Sequence, residues 1–311
     1  MKRAVWAIGG NSLLNLEGSG GKSLKPTIEG IVYLIKQGYD LVITHGNGPQ
    51  VGNLFLAFEE VDIPLNLDEA DAYTQGFMGY LIQRELRNAL IKAGIEADVV
   101  TVLTQVIVDP NDHAFEKPTK PIGRFYSREE ADRLARKRGW HMMFDAHRGY
   151  RRVVPSPEPK SIVEIDAIRE LLDKGYIVIA GGGGGIPVIE TTEGLQGVNA
   201  VIDKDLLSAL MGQLIGASLF VITTSIDRVY INFHKPNQLP LREVTPDKLR
   251  EYLADGHFGE GSMAPKIRAA IRFIESGGDR VIITSPEKVI PAIDGREGTH
   301  IIGTGVHLVK R

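Results

Sequence analysis

The sequence contains no cysteine, which excludes disulfide bonds and thiolate-bound metal centres. It also lacks an apolar run long enough to cross a bilayer. The short apolar stretch near the N-terminus is typical of a first strand rather than of a signal peptide. A net charge of −3 gives no indication of nucleic acid or an anionic membrane as a partner. We therefore expect a soluble, cytoplasmic protein that binds neither.

Several common catalytic motifs are absent as well. The eight histidines include no H-x-H or H-E-x-x-H pair, so a histidine zinc site is not indicated. No G-x-S-x-G elbow is present, which argues against an α/β-hydrolase. The stretch GSGGKS fails the Walker pattern because Leu16 stands where glycine is required. Ile186 likewise replaces the last glycine of a dinucleotide-binding G-x-G-x-x-G.

What the sequence has in abundance is glycine, with 35 residues that cluster after strand-like runs. Most of these runs are nearly continuous in apolar character, which is typical of parallel strands buried on both faces. They begin near residues 4, 40, 98, 176, 219 and 280. Helical patterns lie between them, and Gly38 and Gly94 are plausible helix stops. The alternation predicts an α/β protein with a parallel or mixed sheet between helical layers.

Residues 109–159 interrupt this alternation. The segment is rich in proline, lysine and arginine, with one short helical pattern in its middle. We expect a small inserted subdomain that protrudes from an otherwise single domain spanning residues 1–311. Long insertions of this kind are often lids.

Three predicted strand ends are rich in glycine: Gly9-Gly10-Asn11, Gly46-Asn47-Gly48 and the run from Gly181 to Gly185. Ligands of open parallel sheets bind beyond the carboxyl ends of the strands. Glycine lets the backbone approach a ligand closely, and loops that lead into helices bind anions. Each loop alone is equally well explained as a tight turn, but three on one edge favour a ligand site.

Two lysines stand at the predicted starts of helices. Lys204 lies between Asp203 and Asp205, and Lys266 follows Pro265. An aspartate at this position is most often a helix cap, and Lys266 is equally well explained as a solvated surface residue. A lysine at a helix N-terminus is nevertheless unfavourable unless an anion is nearby. Two lysines and glycine loops would suit phosphoryl transfer without a covalent nucleophile, with Asp203 orienting the lysines.

Long stretches of the chain resemble the carbamate kinases of the amino acid kinase superfamily, in order and over essentially the whole length. The resemblance rests on AIGGN, VITHGNGPQVG, TQGFMGYLIQ, NDHAFEKPTKPIGRFY, RGYRRVVPSPEP, GGGGGIPVI, GVNAVIDKDL and GHFGEGSMAPKIRAAIRFIESGG. It implies a three-layer αβα sandwich with an open, mainly parallel sheet, a small protruding subdomain and a homodimer. It also implies reversible transfer of phosphate between ATP and carbamate, with Mg²⁺.

The resemblance also implies roles for individual residues, with no metal ligand assigned. The catalytic candidates are Asn11, Asp203, Lys204 and Lys266. The candidates for binding the small substrate are Gly9, Gly10, Gly46, Asn47, Gly48, Arg148 and Arg151. The candidates for binding the nucleotide are Gly181, Gly182, Gly183, Thr224, Ser225, Asp227, Tyr230, Ser262, Met263 and Pro265.

The chain departs from the family pattern at four positions. Met143 replaces a lysine, Ser225 an aspartate, Asn199 a glutamate and Ala264 a glycine. Loss of a phosphate-binding cation lowers a rate by roughly 10²–10³-fold. Either an arginine of the insertion replaces that lysine, or the substrate is more apolar.

Two further functions therefore stay open at this point. One is a kinase of another small carboxylate, phosphate or phosphonate. The other is a nucleotide-binding regulatory protein that has lost its activity.

Overall fold

The computed structural model describes residues 2–9, 24–61, 63–145 and 149–303. The helices in these ranges are α1 (Lys25–Lys36), α2 (Gly48–Glu60), α3 (Leu67–Lys92), α4 (Arg128–Arg138), α5 (Ile165–Asp173), α6 (Lys204–Ile215), α7 (Pro246–Ala254), α8 (Met263–Glu275) and α9 (Val289–Ile293). The strands are β1 (Lys2–Ile8), β2 (Tyr39–His45), β3 (Val99–Thr101), β4 (Gln105–Val108), β5 (Lys120–Tyr126), β6 (His141–Asp145), β7 (Gly149–Val154), β8 (Pro159–Ile162), β9 (Ile177–Ile179), β10 (Ile186–Thr191), β11 (Gly194–Gly197), β12 (Leu219–Thr223), β13 (Val229–Ile231), β14 (Leu239–Leu241), β15 (Glu243–Val244), β16 (Arg280–Thr284) and β17 (Thr299–Ile302).

Eight strands form the main sheet, in the order β15-β17-β16-β12-β1-β2-β9-β3. Neighbouring strands are parallel except β16 and β17, which are antiparallel. The six apolar runs of the sequence supply the six consecutive strands from β16 to β3. The predicted α/β class with a mainly parallel sheet is therefore confirmed.

Helices cover both faces of this sheet, and alternate side chains of β1 pack against the helices on opposite faces. Val5 and Ala7 face a core cluster that also contains apolar residues of α5, α6 and α8. Ala4, Trp6 and Ile8 face a second cluster, to which α1, α3 and α9 contribute. Because successive side chains of a strand point to opposite faces, both faces of β1 are buried. The architecture is thus the predicted αβα sandwich.

The predicted helix stops lie where two of these helices end. Gly38 follows α1 with φ of 80°, and Gly94 follows α3 with φ of 67°. Only glycine adopts these left-handed values without strain, so both helices end there. Within the described ranges, no helix is both long and apolar enough to cross a membrane, and this includes the 26-residue α3.

The segment 109–159 forms a small antiparallel sheet of its own, in the order β5-β7-β6. The short helix predicted there is α4, which starts at a capping box formed by Ser127 and Glu130. Tyr126 and Leu134 form a separate small core with Trp140. The segment rejoins the body through β8, which belongs to a second sheet of order β11-β10-β4-β8. Its function as a lid stays a prediction.

Candidate active site

A cavity of about 220 Å³ lies beyond the carboxyl ends of the central strands. Three helices begin at its wall: α2 at Gly48, α6 at Lys204 and α8 at Met263. Helix N-termini present unpaired N–H groups and the positive end of the helix dipole. Their convergence makes the cavity suited to an anion such as a phosphate.

The loop Gly46-Asn47-Gly48 forms one wall of the cavity. The N–H of Gly46 donates to the carbonyl of Ile8, which ties the loop to β1 at 3.1 Å. The amide nitrogen of Asn47 donates to Asp71 Oδ1 and to Thr74 Oγ1, each at 2.8 Å. Both acceptors lie on α3, so this helix holds the loop from behind. The predicted glycine loop is thus the start of a helix that lines the cavity.

Asp71 is completely buried on α3. Burial raises the pKa of its carboxyl well above the ordinary value, and nearby Asp68 adds to the shift. The hydrogen bond from Asn47 opposes the shift without cancelling it. A lone aspartate inside a helical pattern belongs to no motif, so reasoning from the sequence does not single out Asp71.

The glycine run after β9 packs against this loop. A Cβ on Gly183 would lie 2.2 Å from Asn47 Nδ2, and one on Gly182 would lie 2.4 Å from His45 Nε2. Gly181 and Gly183 also have positive φ values, of 64° and 71°. Close packing therefore explains these glycines, and Gly183 lines the cavity. The assignment of Gly181, Gly182 and Gly183 to a nucleotide stays a prediction.

His45 ends β2 directly behind the loop, and its side chain is buried. Burial is the main reason that its pKa falls to about 4, and the charge of Lys204 lowers it further. A hydrogen bond between Nδ1 and the carbonyl of Gly46 has the opposite, smaller effect. At neutral pH the ring is therefore uncharged, which fits a structural role behind the loop.

Asp203 caps α6, as the helix-cap interpretation predicts. Its Oδ1 accepts hydrogen bonds from the N–H groups of Asp205 at 2.9 Å and Leu206 at 3.4 Å. Its other oxygen, Oδ2, lies 2.5 Å from Lys120 Nζ. Asp203 thus caps the helix and holds a lysine in the cavity at the same time.

Asp205 joins the two lysines that the sequence singled out. Lys204 Nζ lies 2.5 Å from Asp205 Oδ1, and Lys266 Nζ lies 3.1 Å from Oδ2. The side chain of Asp205 is only 3% exposed. Helices α6 and α8 therefore bring Lys204 and Lys266 to one carboxylate, although 61 positions separate Lys266 from Asp205.

The charges of this trio are set by burial and by the ion pairs. For Asp205, burial alone would raise the pKa, but the two lysines outweigh it and the pKa is lowered. For Lys204, burial lowers the pKa. The nearby carboxylate of Asp205 raises it and the charge of Lys266 lowers it, and the net pKa is lowered. For Lys266, burial opposes the charged form, but Asp205 and Asp203 outweigh it and the pKa is raised.

The cavity lining includes three ammonium groups, of Lys120, Lys204 and Lys266, and two carboxylates. Positive charge is therefore in excess, in addition to the three helix N-termini. Lys120, like Asp71, is a residue that reasoning from the sequence misses. It lies in the quoted stretch NDHAFEKPTKPIGRFY, but on the insertion, and no helix start or glycine loop marks it. Met143, which replaces a lysine of the family pattern, lies on β6 with 40% exposure and does not line the cavity.

None of the remaining residues predicted to bind the substrate is shown to line the cavity. Arg151 does not line the cavity: its guanidinium donates to the carbonyl of Gly123 at 2.9 Å and stacks over the ring of Phe125. Gly9 directly follows β1, and a Cβ there would lie 2.6 Å from the carbonyl oxygen of Thr223. The candidates Gly10, Asn11 and Arg148 lie outside the described residues.

Two further departures from the family pattern have structural roles. Asn199 Oδ1 accepts a hydrogen bond from the N–H of Leu67 at 3.1 Å, at the start of α3. Ala264 is completely buried in the first turn of α8. Neither residue lines the cavity.

The nucleotide candidates other than the three glycines divide into two groups. Ser262 and Pro265 line the cavity, while Met263 packs against the core from α8. The other group follows β12, where Thr224 donates its N–H to the carbonyl of Thr284 at 2.9 Å. In that group the hydroxyl of Tyr230 donates to Asp227 Oδ1 at 2.9 Å, and Ser225 is exposed.

A bound cation would find few protein ligands here. Nowhere in the described ranges do three or more histidine or acidic side chains group in a way that could hold a metal ion. The two carboxylates of the cavity both face lysines. This donor set fits Mg²⁺ only if nucleotide phosphates supply most of its ligands, which is how Mg²⁺ usually binds in kinases.

Comparison with known proteins shows the family of the chain. A sequence model of the amino acid kinase family matches residues 2–285. The carbamate kinase of Thermococcus kodakarensis is 47% identical over 97% of this chain and 99% of the relative. The carbamate kinase of Pyrococcus furiosus is also 47% identical, over 97% of this chain and 99% of its own length. The structure of carbamate kinase from Giardia lamblia bound to AMP-PNP superposes with a TM-score of 0.87 and 39% identity, over 97% of this chain and 98% of that chain. The chain therefore belongs to the carbamate kinases of the amino acid kinase family.

Proposed function

We propose that this protein is an ATP-dependent phosphotransferase that catalyses reversible phosphoryl transfer between ATP and carbamate, with carbamoyl phosphate and ADP as the other pair. The observation that carries the proposal is the position of Lys120, Lys204 and Lys266 around one cavity at three helix N-termini. The names of its full-length relatives indicate the substrate.

The reaction needs no covalent intermediate with the protein. In the ATP-forming direction, an oxygen of the ADP β-phosphate forms a new bond to phosphorus. The bond between phosphorus and the carbamoyl oxygen breaks, and carbamate leaves with the electron pair. In the transition state, charge is spread over the equatorial oxygens of the transferred group and builds up on the leaving oxygen, where fixed cations and N–H groups stabilise it. Asp203 and Asp205 hold the three lysines in place and prevent their mutual repulsion from separating them.

The nucleotide is proposed to bind between the segment Thr224–Tyr230 and the start of α8. In support, Ser262 and Pro265 already belong to the cavity, and the Giardia lamblia relative has been solved with AMP-PNP. Mg²⁺ is proposed as the cofactor, held mainly by the phosphates. When bound, it neutralises charge on the phosphate oxygens. The roles of Gly9, Gly10, Asn11 and Arg148 in binding the transferred group stay predictions.

The segment 109–159 is proposed to act as a lid over the cavity. It has a sheet and a small core of its own, yet it contributes Lys120 to the cavity. Such a unit is able to move as a body and carry the lysine with it. A cytoplasmic location remains the expectation from the sequence.

A homodimer is proposed through one face of α3. Tyr73, Phe77 and Tyr80 are exposed by 57%, 45% and 57%, and their spacing places them on one side of the helix. Contiguous exposed aromatic residues of this kind mark association surfaces.

The test is ATP formation by the purified protein from ADP, Mg²⁺ and carbamoyl phosphate, followed by luminescence. A parallel preparation of Lys204→Ala reports any contaminating kinase. We expect rapid ATP formation that the variant lacks. Folded wild-type protein that binds ADP but forms no ATP above the variant would contradict the carbamate assignment. Other acyl phosphates would then be screened as phosphoryl donors.

A further inference from the structure

The side chain of Asn47 is held in one orientation by two residues of α3. Its amide nitrogen lies 2.8 Å from Asp71 Oδ1 and 2.8 Å from Thr74 Oγ1. On the other side, the Cα of Gly183 packs so closely that a Cβ there would lie 2.2 Å from the same nitrogen. The amide is therefore clamped and only 6% exposed.

The hydroxyl of Thr74 decides which end of the amide faces α3. Its single proton is donated to the backbone carbonyl of Asp71, at 3.0 Å. The hydroxyl oxygen can then only accept, so the Asn47 atom next to it must be the nitrogen. This assignment holds whether the carboxyl of Asp71 is protonated or ionised.

Both N–H bonds of the amide are thus used within the protein, and Oδ1 is left as an acceptor. Among the described residues, none donates a hydrogen bond to Asn47 Oδ1, and Asn47 lines the cavity. An acceptor in a desolvated site favours a ligand that brings a donor, because it stays unsatisfied beside an apolar group.

We propose that Asp71 and Thr74 are positioning residues that present Asn47 Oδ1 to the N–H₂ of the carbamoyl group. This contact selects carbamoyl compounds over the isosteric acetyl compounds, in which a methyl group takes the place of the amino group. The inference rests on the proposed function and adds the means by which the acceptor is recognised. Asp71 acts through Asn47 and does not itself contact the reacting atoms.

The experiment compares carbamoyl phosphate with acetyl phosphate as phosphoryl donors to ADP. The two differ chiefly in an amino group against a methyl group. The quantity measured is the ratio of the two kcat/KM values for wild type, Asp71→Leu, Asp71→Asn and Thr74→Val. A loss of folded protein alone lowers both rates equally and leaves the ratio unchanged.

We expect Asp71→Leu and Thr74→Val to lower the wild-type preference for carbamoyl phosphate by about tenfold. Asp71→Asn retains an acceptor oxygen at the same place and should keep the ratio within about threefold of wild type. If Asp71→Leu does not fold, Thr74→Val decides. An unchanged ratio in Thr74→Val, or equal losses in the leucine and asparagine variants, would overturn the inference. A wild type that forms ATP from neither donor would instead contradict the proposed function.

Discussion

Lys120 Nζ lies 2.5 Å from Asp203 Oδ2, so the first residue of β5 is bound to the residue that caps α6. This ion pair connects the segment 109–159 with the helix that carries Lys204. A movement of that segment away from the body would therefore remove one of the three cations from the cavity.

Replacing Lys120 with methionine tests whether this cation takes part in the transfer. We expect Lys120→Met to lower kcat for ATP formation by roughly 10²–10³-fold, because one charge that stabilises the transferred group is lost. Binding of ADP, measured by calorimetry, should stay nearly unchanged. Lys117→Met is the matched control, since Lys117 is exposed on the same segment and does not line the cavity. Equal kcat values for the two variants would remove Lys120 from the mechanism.

Two glycines with similar φ angles allow the cost of conformational strain to be measured apart from the cost of steric contact. Gly183 has φ of 71° and would place a Cβ 2.2 Å from Asn47, whereas Gly175 has φ of 82° and nothing within 4 Å. We expect Gly175→Ala to cost about 1–2 kcal/mol in the free energy of unfolding, because alanine is strained at positive φ. Gly183→Ala should cost about 1–3 kcal/mol more, since a side chain must move as well. Urea denaturation measures both, and equal costs would show that the contact with Asn47 carries no energy.

The buried ring of His45 predicts a dependence of stability on pH. The pKa of His45 is lowered from 6.5 to about 4 by burial, so the unfolded chain binds a proton at a higher pH than the folded protein. Stability must then decrease as the pH falls from 6.5 to 4, by up to about 3 kcal/mol for this residue. His300, whose pKa is lowered to about 4 by burial, acts in the same direction.

We expect His45→Asn to reduce the slope of unfolding free energy against pH in this range. The exposed residue His113 provides the control, and His113→Asn should keep the wild-type slope. Identical slopes for the two variants would show that His45 accepts a proton in the folded protein near its ordinary pKa.

The exposed aromatic face of α3 predicts a homodimer. A stable dimer buries at least about 1,200 Å² in total, so one charge within the interface should disrupt it. Phe77→Glu is expected to change the sedimentation coefficient from that of a dimer to that of a monomer. Val163→Glu is the control, because Val163 is also exposed, by 40%, but lies outside α3. A wild type that sediments as a monomer at tens of micromolar would contradict the proposal.

The sequence was sufficient to predict the central strands of the main sheet but not the strands at one of its edges. Buried parallel strands are continuously apolar, so all six such runs became neighbouring strands of the main sheet. The short strands β15 and β17 are missed because no comparable run marks them. Helix α2 is missed because Gly48-Pro49 is typical of a turn, although proline is equally suited to the first turn of a helix.

The same distinction holds for the cavity. Lys204 and Lys266 were found because each stands at a recognisable helix start. Lys120 and Asp71 were not, because their importance depends on partners that only folding brings close. Lys120 meets Asp203 across 83 positions, and Asp71 meets Asn47 across 24. Local patterns carry no information about contacts of this kind.

The most direct test of the account is the turnover of Lys266→Met in ATP formation from carbamoyl phosphate and ADP, beside the wild type. Lys266 shares Asp205 with Lys204 and reaches the cavity from a second helix. A kcat reduced by at least about a hundredfold, in a folded variant that still binds ADP, is the predicted result. A kcat within about threefold of wild type would show that phosphoryl transfer does not take place at these lysines.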